Sequence, residues 1–263
     1  MQVSGVIRQL RGYPVKSMRG ESLDASTLTL QGIPADRRYA FVQMASRSSF
    51  PWLTARELPE LLCYSTFTEK VGPQEAEVTV TTPAGEKFPI KSDELRQALE
   101  ERSGKELFLL YDYRGSYDVA PISLISRQTI SRIAKESETE EDPLRFRPNL
   151  LIDLEGGEAF DELNWVGRIL RVGDTARIAI TEVDQRCMMI TLDPASAKPK
   201  PPRFCAALPS STNSARGSMR RFLLLGKCAS VTQRHWKPKS ERWPGRSGFC
   251  FAAYAPGLSA NRQ

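Results

Sequence analysis

The chain has 263 residues, 40% apolar and 26% charged, which is enough for one large or two modest domains and excludes a disordered or fibrous composition. No apolar run reaches the length of a membrane span, the first residues read as neither a signal nor a transit peptide, and five scattered cysteines fit a reducing cytoplasm better than a disulfide scaffold. The formal charge of +6 is uneven: residues 203–263 hold 11 Lys and Arg against one acid, Glu241, so a polyanion partner has to be argued from that tail alone.

The predicted elements run as follows. Residues 3–10 form a first strand, broken by the Gly12 and Pro14 turn. Residues 22–30 form a second strand and residues 38–44 a third, with the turn Gly32 to Arg37 between them. A small Ser-rich loop and Leu53-Thr54-Ala55-Arg56 come next, and residues 61–68 read as a strand. Residues 78–82 and 87–90 flank Pro83-Ala84-Gly85-Glu86, a hairpin by turn chemistry. Ser92 caps an amphipathic helix that ends before Gly104, and residues 106–111 return as a strand. These elements predict a small β-barrel or half-barrel over residues 1–115.

A second domain begins at residue 116 and runs to 201. It opens with a short strand at 122–125 and a helix capped by Ser126. The acidic run 137–142 reads as a solvated loop. Arg145-Phe146-Arg147-Pro148-Asn149 then feeds a buried-type strand, and residues 167–174 pair with residues 176–183. The expected class is mainly β with a few helices. Residues 202–263 form an atypical basic tail without periodicity, expected to be disordered.

Familiar catalytic and metal motifs are missing. The single histidine, His235, lies in the tail, no Cys/His spacing suggests zinc, and no dinucleotide fingerprint or P-loop is present. What stands out is a set of basic and amide-bearing residues at strand–loop junctions: Lys16-Ser17, Arg37-Arg38, Thr54 and Arg56, Arg147 and Asn149, and Arg186. Converging, they would suit an anionic, phosphate-bearing ligand; taken singly, each reads first as a solvated surface charge. Cys187 stands at the end of a strand beside Arg186, with Met188-Met189-Ile190 behind it. A thiolate there would be stabilised by the guanidinium and could bind a soft metal, or the side chain packs as a small core residue.

Taken together, Tyr13-Pro14-Val15-Lys16-Ser17, Asp36-Arg37, Thr54-Ala55-Arg56, Arg145-Phe146-Arg147-Pro148-Asn149, Trp165-Val166-Gly167-Arg168, Val172-Gly173-Asp174, Arg186-Cys187 and Asp193-Pro194 resemble the MOSC (molybdenum cofactor sulfurase C-terminal) domain proteins that carry an N-terminal MOSC β-barrel domain. The mitochondrial amidoxime-reducing component and its bacterial counterparts are functional relatives of this type. The resemblance implies a molybdenum cofactor (molybdenum–molybdopterin), with Cys187 as the protein sulfur on the metal and the catalytic residue. Lys16, Ser17, Arg37, Arg56, Arg147, Asn149 and Arg186 would bind the cofactor. It further implies two-electron reduction of small N-hydroxylated compounds, with electrons from a separate ferredoxin- or flavoprotein-type donor and no nucleic-acid or membrane partner. A pyridoxal-phosphate-binding role travels with the same resemblance, without a residue of its own. The alternatives are a non-catalytic module that carries sulfur or cofactor to another enzyme, and a basic-tailed nucleic-acid binder.

The resemblance stops after Pro201. Relatives continue with a segment like C-x-G-V-Y-A and a closing strand like G-x-V-R-V-G-D-P, and the degenerate code permits both from Arg203 onward if the frame is displaced by one base. The expectation is a frame shift near Pro201-Pro202, an incomplete second domain, and an open edge at residues 169–172.

Overall fold

The computed structural model describes residues 4–71, 75–185, 188–199, 218–224, 229–232, 235–238 and 251–254. Among these residues the fold is mainly β, with two α-helices of 11 residues each.

In the first half, β1 (Ser4–Gly12) puts Ile7 and Leu10 into the core although they are three positions apart. A register shift between Ile7 and Gln9 makes this possible: the bulge turns Arg8 outward, where it pairs with Asp153 at 2.8 Å. The strand expected at 22–30 is broken at Asp24. β2 (Glu21–Leu23) pairs with β1, whereas β3 (Ala25–Leu28) takes a different partner. β4 (Tyr39–Gln43) follows. The strand expected from residue 61 begins only at Ser65 and is preceded by a 3-10 turn, Pro59–Cys63, which opens on a proline whose fixed φ and missing N–H suit the first helical position, with Leu61 and Leu62 both buried. β5 (Ser65–Val71), β6 (Ala76–Thr81) and β7 (Lys87–Pro89) form a small antiparallel sheet. Gly85 sits in its hairpin at φ +89°.

Helix α1 (Asp93–Ser103) begins at Ser92, whose hydroxyl accepts from the Leu95 N–H. It ends at Gly104 in the left-handed conformation. Leu95 and Leu99 join Tyr39, Phe41, Val78, Val80 and Leu107 in the first core. β8 (Leu107–Tyr111) pairs with β4.

In the second half, β9 (Ile122–Ser126), α2 (Arg127–Ser137) and β10 (Leu150–Glu155) make a parallel crossover, the one parallel strand pair among the described strands. β11 (Ile169–Val172) and β12 (Ala176–Gln185) form the expected antiparallel pair.

The described strands form sheets whose hydrogen-bonded order stays open, the largest nine-stranded, so the mainly β class is as expected and the half-barrel form is met rather than a closed barrel. Of the tail, expected to be disordered or frame-shifted, the structure describes β13 (Ser218–Leu224), β14 (Ala229–Thr232), β15 (His235–Pro238) and β16 (Phe251–Tyr254), and the rest of that expectation lies outside the described residues. β13 lies between β12 and β9, β15 extends the sheet beyond β1, and β14 is the partner of β3. Strand pairing uses backbone groups that every non-proline residue carries, so a sequence without amphipathic period can still fill a sheet position. β11 ends the hydrogen-bonded order, but β16, the strand at its other end, lies against it, so the expected open edge is covered.

Candidate functional site: a cationic cleft between the halves

Three turns meet where the two halves join: residues 13–17 after β1, 35–38 before β4, and 145–149 before β10. The buried Asp36 ties them together. Its Oδ1 accepts from the Tyr13 N–H at 2.7 Å and from Asn149 Nδ2 at 3.1 Å, and its Oδ2 takes Arg37 Nη1 at 2.5 Å. Asn149 is equally committed. Its Oδ1 accepts from the Ser123 N–H at 3.0 Å and from Arg37 Nη1 at 3.2 Å, and its Nδ2 also donates to the Arg11 carbonyl at 3.1 Å. Asn149 therefore does not line the cleft as a ligand group; it holds Arg37 from behind.

The Tyr13 ring lies between two guanidiniums, Arg147 at 4.4 Å and Arg37 at 4.8 Å from its centroid. Burial raises the Tyr13 phenol above its ordinary range, although both arginines and Arg11 pull the other way. Burial also pulls the Arg147 guanidinium down to about 10, with Arg37 repelling it. Burial acts on Arg37 in the same sense, but Asp36 and Tyr13 outweigh it and the net shift is upward. Arg147 Nη2 is buried and makes no hydrogen bond among the described residues.

Three cleft residues hold left-handed backbone without being glycine: Ser17 at φ +66°, Arg37 at +51° and Arg147 at +50°. Such conformations cost on the order of 1–3 kcal/mol each and cluster at ligand clamps. Pro148 disfavours the right-handed helical region for Arg147, and the Arg147 carbonyl is held by Arg37 Nη2 and Ser123 Oγ, each at 3.3 Å.

These turns face a cleft of about 780 Å3, within the size range of small-molecule and cofactor sites. Lys16, Ser17, Arg37 and Arg56 line it from the first half, with Phe50 and Thr54. Arg145, Arg147, Asp118, Glu182, Asp184, Met189 and Ile190 line it from the second. Lys16 Nζ donates to the Ser116 carbonyl at 2.8 Å and to Asp118 at 2.5 Å, with the Trp52 and Phe50 rings at 4.7 and 5.2 Å. Arg56 also lies over the Phe50 ring, at 4.9 Å, and forms no ion pair among the described residues.

The predicted Arg186 and Cys187 lie outside the described residues. The segments on either side of them do line the cleft. The 3-10 turn Met188–Thr191 puts Ile190 into the α2 cluster, and Leu192 just beyond it joins the first core. Arg145 clamps the same loop, donating to the Leu192 carbonyl and to Asp193, each at 3.0 Å. Asp193 also accepts from the Ala195 and Ser196 amides. Its burial works against ionisation, but these amides and Arg145 prevail and hold its carboxyl down at about 2.

Sequence reading missed Tyr13 as a stacking platform, Phe50 and Asp118. An aromatic residue within a Ser-rich loop was a usable signal for Phe50; nothing in the polar linker marked Asp118. Among the described residues no three His, Cys, Asp or Glu side chains converge as metal ligands.

Two family models match in succession, one described as MOSC N-terminal beta barrel domain over residues 4–110 and one as MOSC domain over residues 112–230. The chain belongs to the MOSC domain family. The cleft thus lies on the seam between the MOSC N-terminal domain and the MOSC domain. The second match runs past Pro201 and through β13. MOSC domains are associated with molybdenum cofactor sulfurase-like proteins. No curated protein matches the chain. The crystal structure of the YUAD protein from Bacillus subtilis is similar over 89% of this chain and 93% of its own, at 15% identity and a TM-score of 0.45. No helix among the described residues is long and apolar enough to cross a membrane.

Proposed function

We propose that this MOSC protein binds the molybdenum cofactor in the seam cleft and reduces N-hydroxylated compounds there. The observation that carries the reading is the convergence of Lys16, Arg37, Arg56 and Arg147 on the walls of one cleft. Cationic donors brought together from both halves suit an anion such as a pterin phosphate. The donor set fits that group. Arg147 and the exposed Arg56 offer guanidinium N–H groups, Lys16 offers an ammonium, and Ser17 lines the same cleft.

The roles divide by what each side chain is already doing. Arg147, Arg56 and Lys16 bind the anionic end. Arg37, neutralised by Asp36, positions Arg147 through the shared Tyr13 ring and its bond to the Arg147 carbonyl. Phe50, Met189 and Ile190 keep water from the wall. Cys187 is the proposed sulfur ligand, since the residues flanking it, Asp184 and Met189, both line the cleft. When bound, the cofactor supplies two-electron redox chemistry at molybdenum. A separate donor delivers the electrons; the N–O bond of the substrate breaks, two protons are taken up, and water leaves.

The test is metal and pterin content of the full chain purified from cells replete in cofactor. Molybdenum and pterin are expected together in the wild type, and both are expected to be lost in C187A and R147A. Wild-type protein without either would end this reading. Cofactor bound without turnover of any amidoxime or hydroxylamine, with ferredoxin and flavoprotein donors, would replace it by the carrier alternative.

A further inference from the structure

We infer that Leu192 is a positioning residue for Cys187, and that the N-terminal domain is the seat on which the loop after Cys187 is set. This rests on the proposed role of Cys187 as the sulfur ligand.

Residues 188–199 fall within the match to the MOSC domain, yet they pack on both domains. The 3-10 turn Met188–Thr191 places Met189 and Leu192, three positions apart, on one side. Met189 packs against the core that Val15, Tyr39, Leu61 and Leu95 build in the N-terminal domain, and Leu192, 2% exposed, is part of it. Among the described residues, every other buried member of that core lies between residues 15 and 107. Ile190 leaves the turn on another side and joins Ile130, Ile133 and Phe146 in the MOSC domain. One short turn is thus seated in two cores at once.

The turn has little freedom to slide. The Leu192 N–H donates to the Met189 carbonyl at 3.1 Å and Thr191 Oγ1 to the Met188 carbonyl at 2.6 Å, which closes the turn on itself. The MOSC domain holds it through Arg145, which donates to the Leu192 carbonyl at 3.0 Å. The N-terminal domain holds the residues that follow through Cys63, whose Sγ donates to the Ala195 carbonyl at 3.3 Å. Met189 and Ile190 also line the cleft, so the part of the turn seated in the cores is at the same time cleft wall. Cys187 precedes Met189 by two residues, and two residues of chain span at most about 7 Å. The reach of its thiol is therefore set by where the turn is seated. Truncating Leu192 leaves the hydrogen bonds named here in place and removes the apolar anchor in the N-terminal domain.

The experiment is alkylation of the native full chain by iodoacetamide, with the protein made in a host that lacks the cofactor and the modification of Cys187 followed peptide by peptide in a mass spectrometer. L192A is expected to alkylate at Cys187 about threefold faster than wild type, L192V to show a smaller rise, and L192M to keep the wild-type rate because it refills the seat. L95A opens a cavity in the same core on α1, away from the loop, and is expected to lower the denaturant midpoint as L192A does while leaving the Cys187 rate unchanged. Rates in L192A and L192V equal to or below wild type overturn the positioning role. An equal rise in L95A also overturns it, since the effect would then be loss of stability in general. These rates are read without cofactor, so they decide the positioning role separately from the molybdenum and pterin content that decides the cofactor reading.

Discussion

Asp36 and Asn149 are not among the residues that line the cleft, yet their hydrogen bonds join the turns that form it. Asn149 gathers Asp36, Arg37, Ser123 and the Arg11 carbonyl around one buried amide. Asn149→Ala leaves several of these groups unmatched, and a loss of about 2–4 kcal/mol is expected. Urea denaturation checks it; a loss below about 1 kcal/mol would mean that water replaces the amide. Arg147 is the opposite case. R147A removes an unsatisfied donor but also the guanidinium stacked on Tyr13, so a small net loss of stability, about 1 kcal/mol, is expected, while anion affinity falls by about tenfold or more. R147K is expected to rescue little of that affinity, because an ammonium does not reproduce the planar guanidinium stacked on Tyr13. A fully active R147K would contradict the stacking role. None of this was legible in the chain. Arg37, Arg147 and Asn149 could be picked out at strand–loop junctions, but which of them bind and which support follows from burial, and burial is not written in a junction.

At the scale of elements, both helices start on a serine cap, but the caps are not equivalent. Among the described residues the Ser92 hydroxyl accepts from the Leu95 N–H alone, whereas the Ser126 hydroxyl accepts from the Thr129 N–H and also bonds the buried Glu162 carboxylate. Burial raises the Glu162 carboxyl despite the hydrogen bonds it receives from Ser126. S92A is expected to cost about 1 kcal/mol and S126A about 2, compared by denaturant midpoint; equal costs would show that Glu162 gains nothing from the cap. The loop after Cys187 is pinned by Ile190, Leu192 and the Arg145–Asp193 pair. Asp193 has a folded pKa of about 2, against roughly 3.9 for an unfolded aspartate. Its stabilising effect is therefore complete above about pH 4 and vanishes as the pH falls towards 2. D193N should be less stable than wild type at pH 7 by about 1–2 kcal/mol, with the difference closing between pH 4 and pH 2. A difference that stays constant across that window would assign the cost to packing. The caps and the hairpin could be read from local chemistry; the pinning of this loop could not, because Ile190 and Leu192 are two residues apart and enter different cores.

Over the whole molecule, β13 is the segment on which the second half turns. It joins β12 to β9, so a chain ending at residue 217 would split the main sheet. Hydrogen exchange is expected to show β9 and β12 losing protection in that truncation, while α1 and its neighbours keep theirs. Unchanged protection in β9 would show that β13 is dispensable. The frame-shift reading of residues 202–263 makes a separate prediction at nucleotide level: the displaced frame after codon 201 should encode segments like C-x-G-V-Y-A and G-x-V-R-V-G-D-P. A displaced frame interrupted by stop codons rejects it.

By itself the sequence determined the class, the order of most elements, the helix caps and the family, because each of these rests on contacts close in the chain: hydrophobic period, capping side chains, turn residues, motif order. Only the tertiary structure decided that β1 bulges at Arg8, that Pro59–Cys63 is a helical turn, that tail strands complete the sheet, and that Arg37 is neutralised while Arg147 is not. Those outcomes depend on partners more than a hundred residues away, such as Asp153 for Arg8 and Asn149 for Arg37, and on which polar groups are shut off from water once the two halves close on each other.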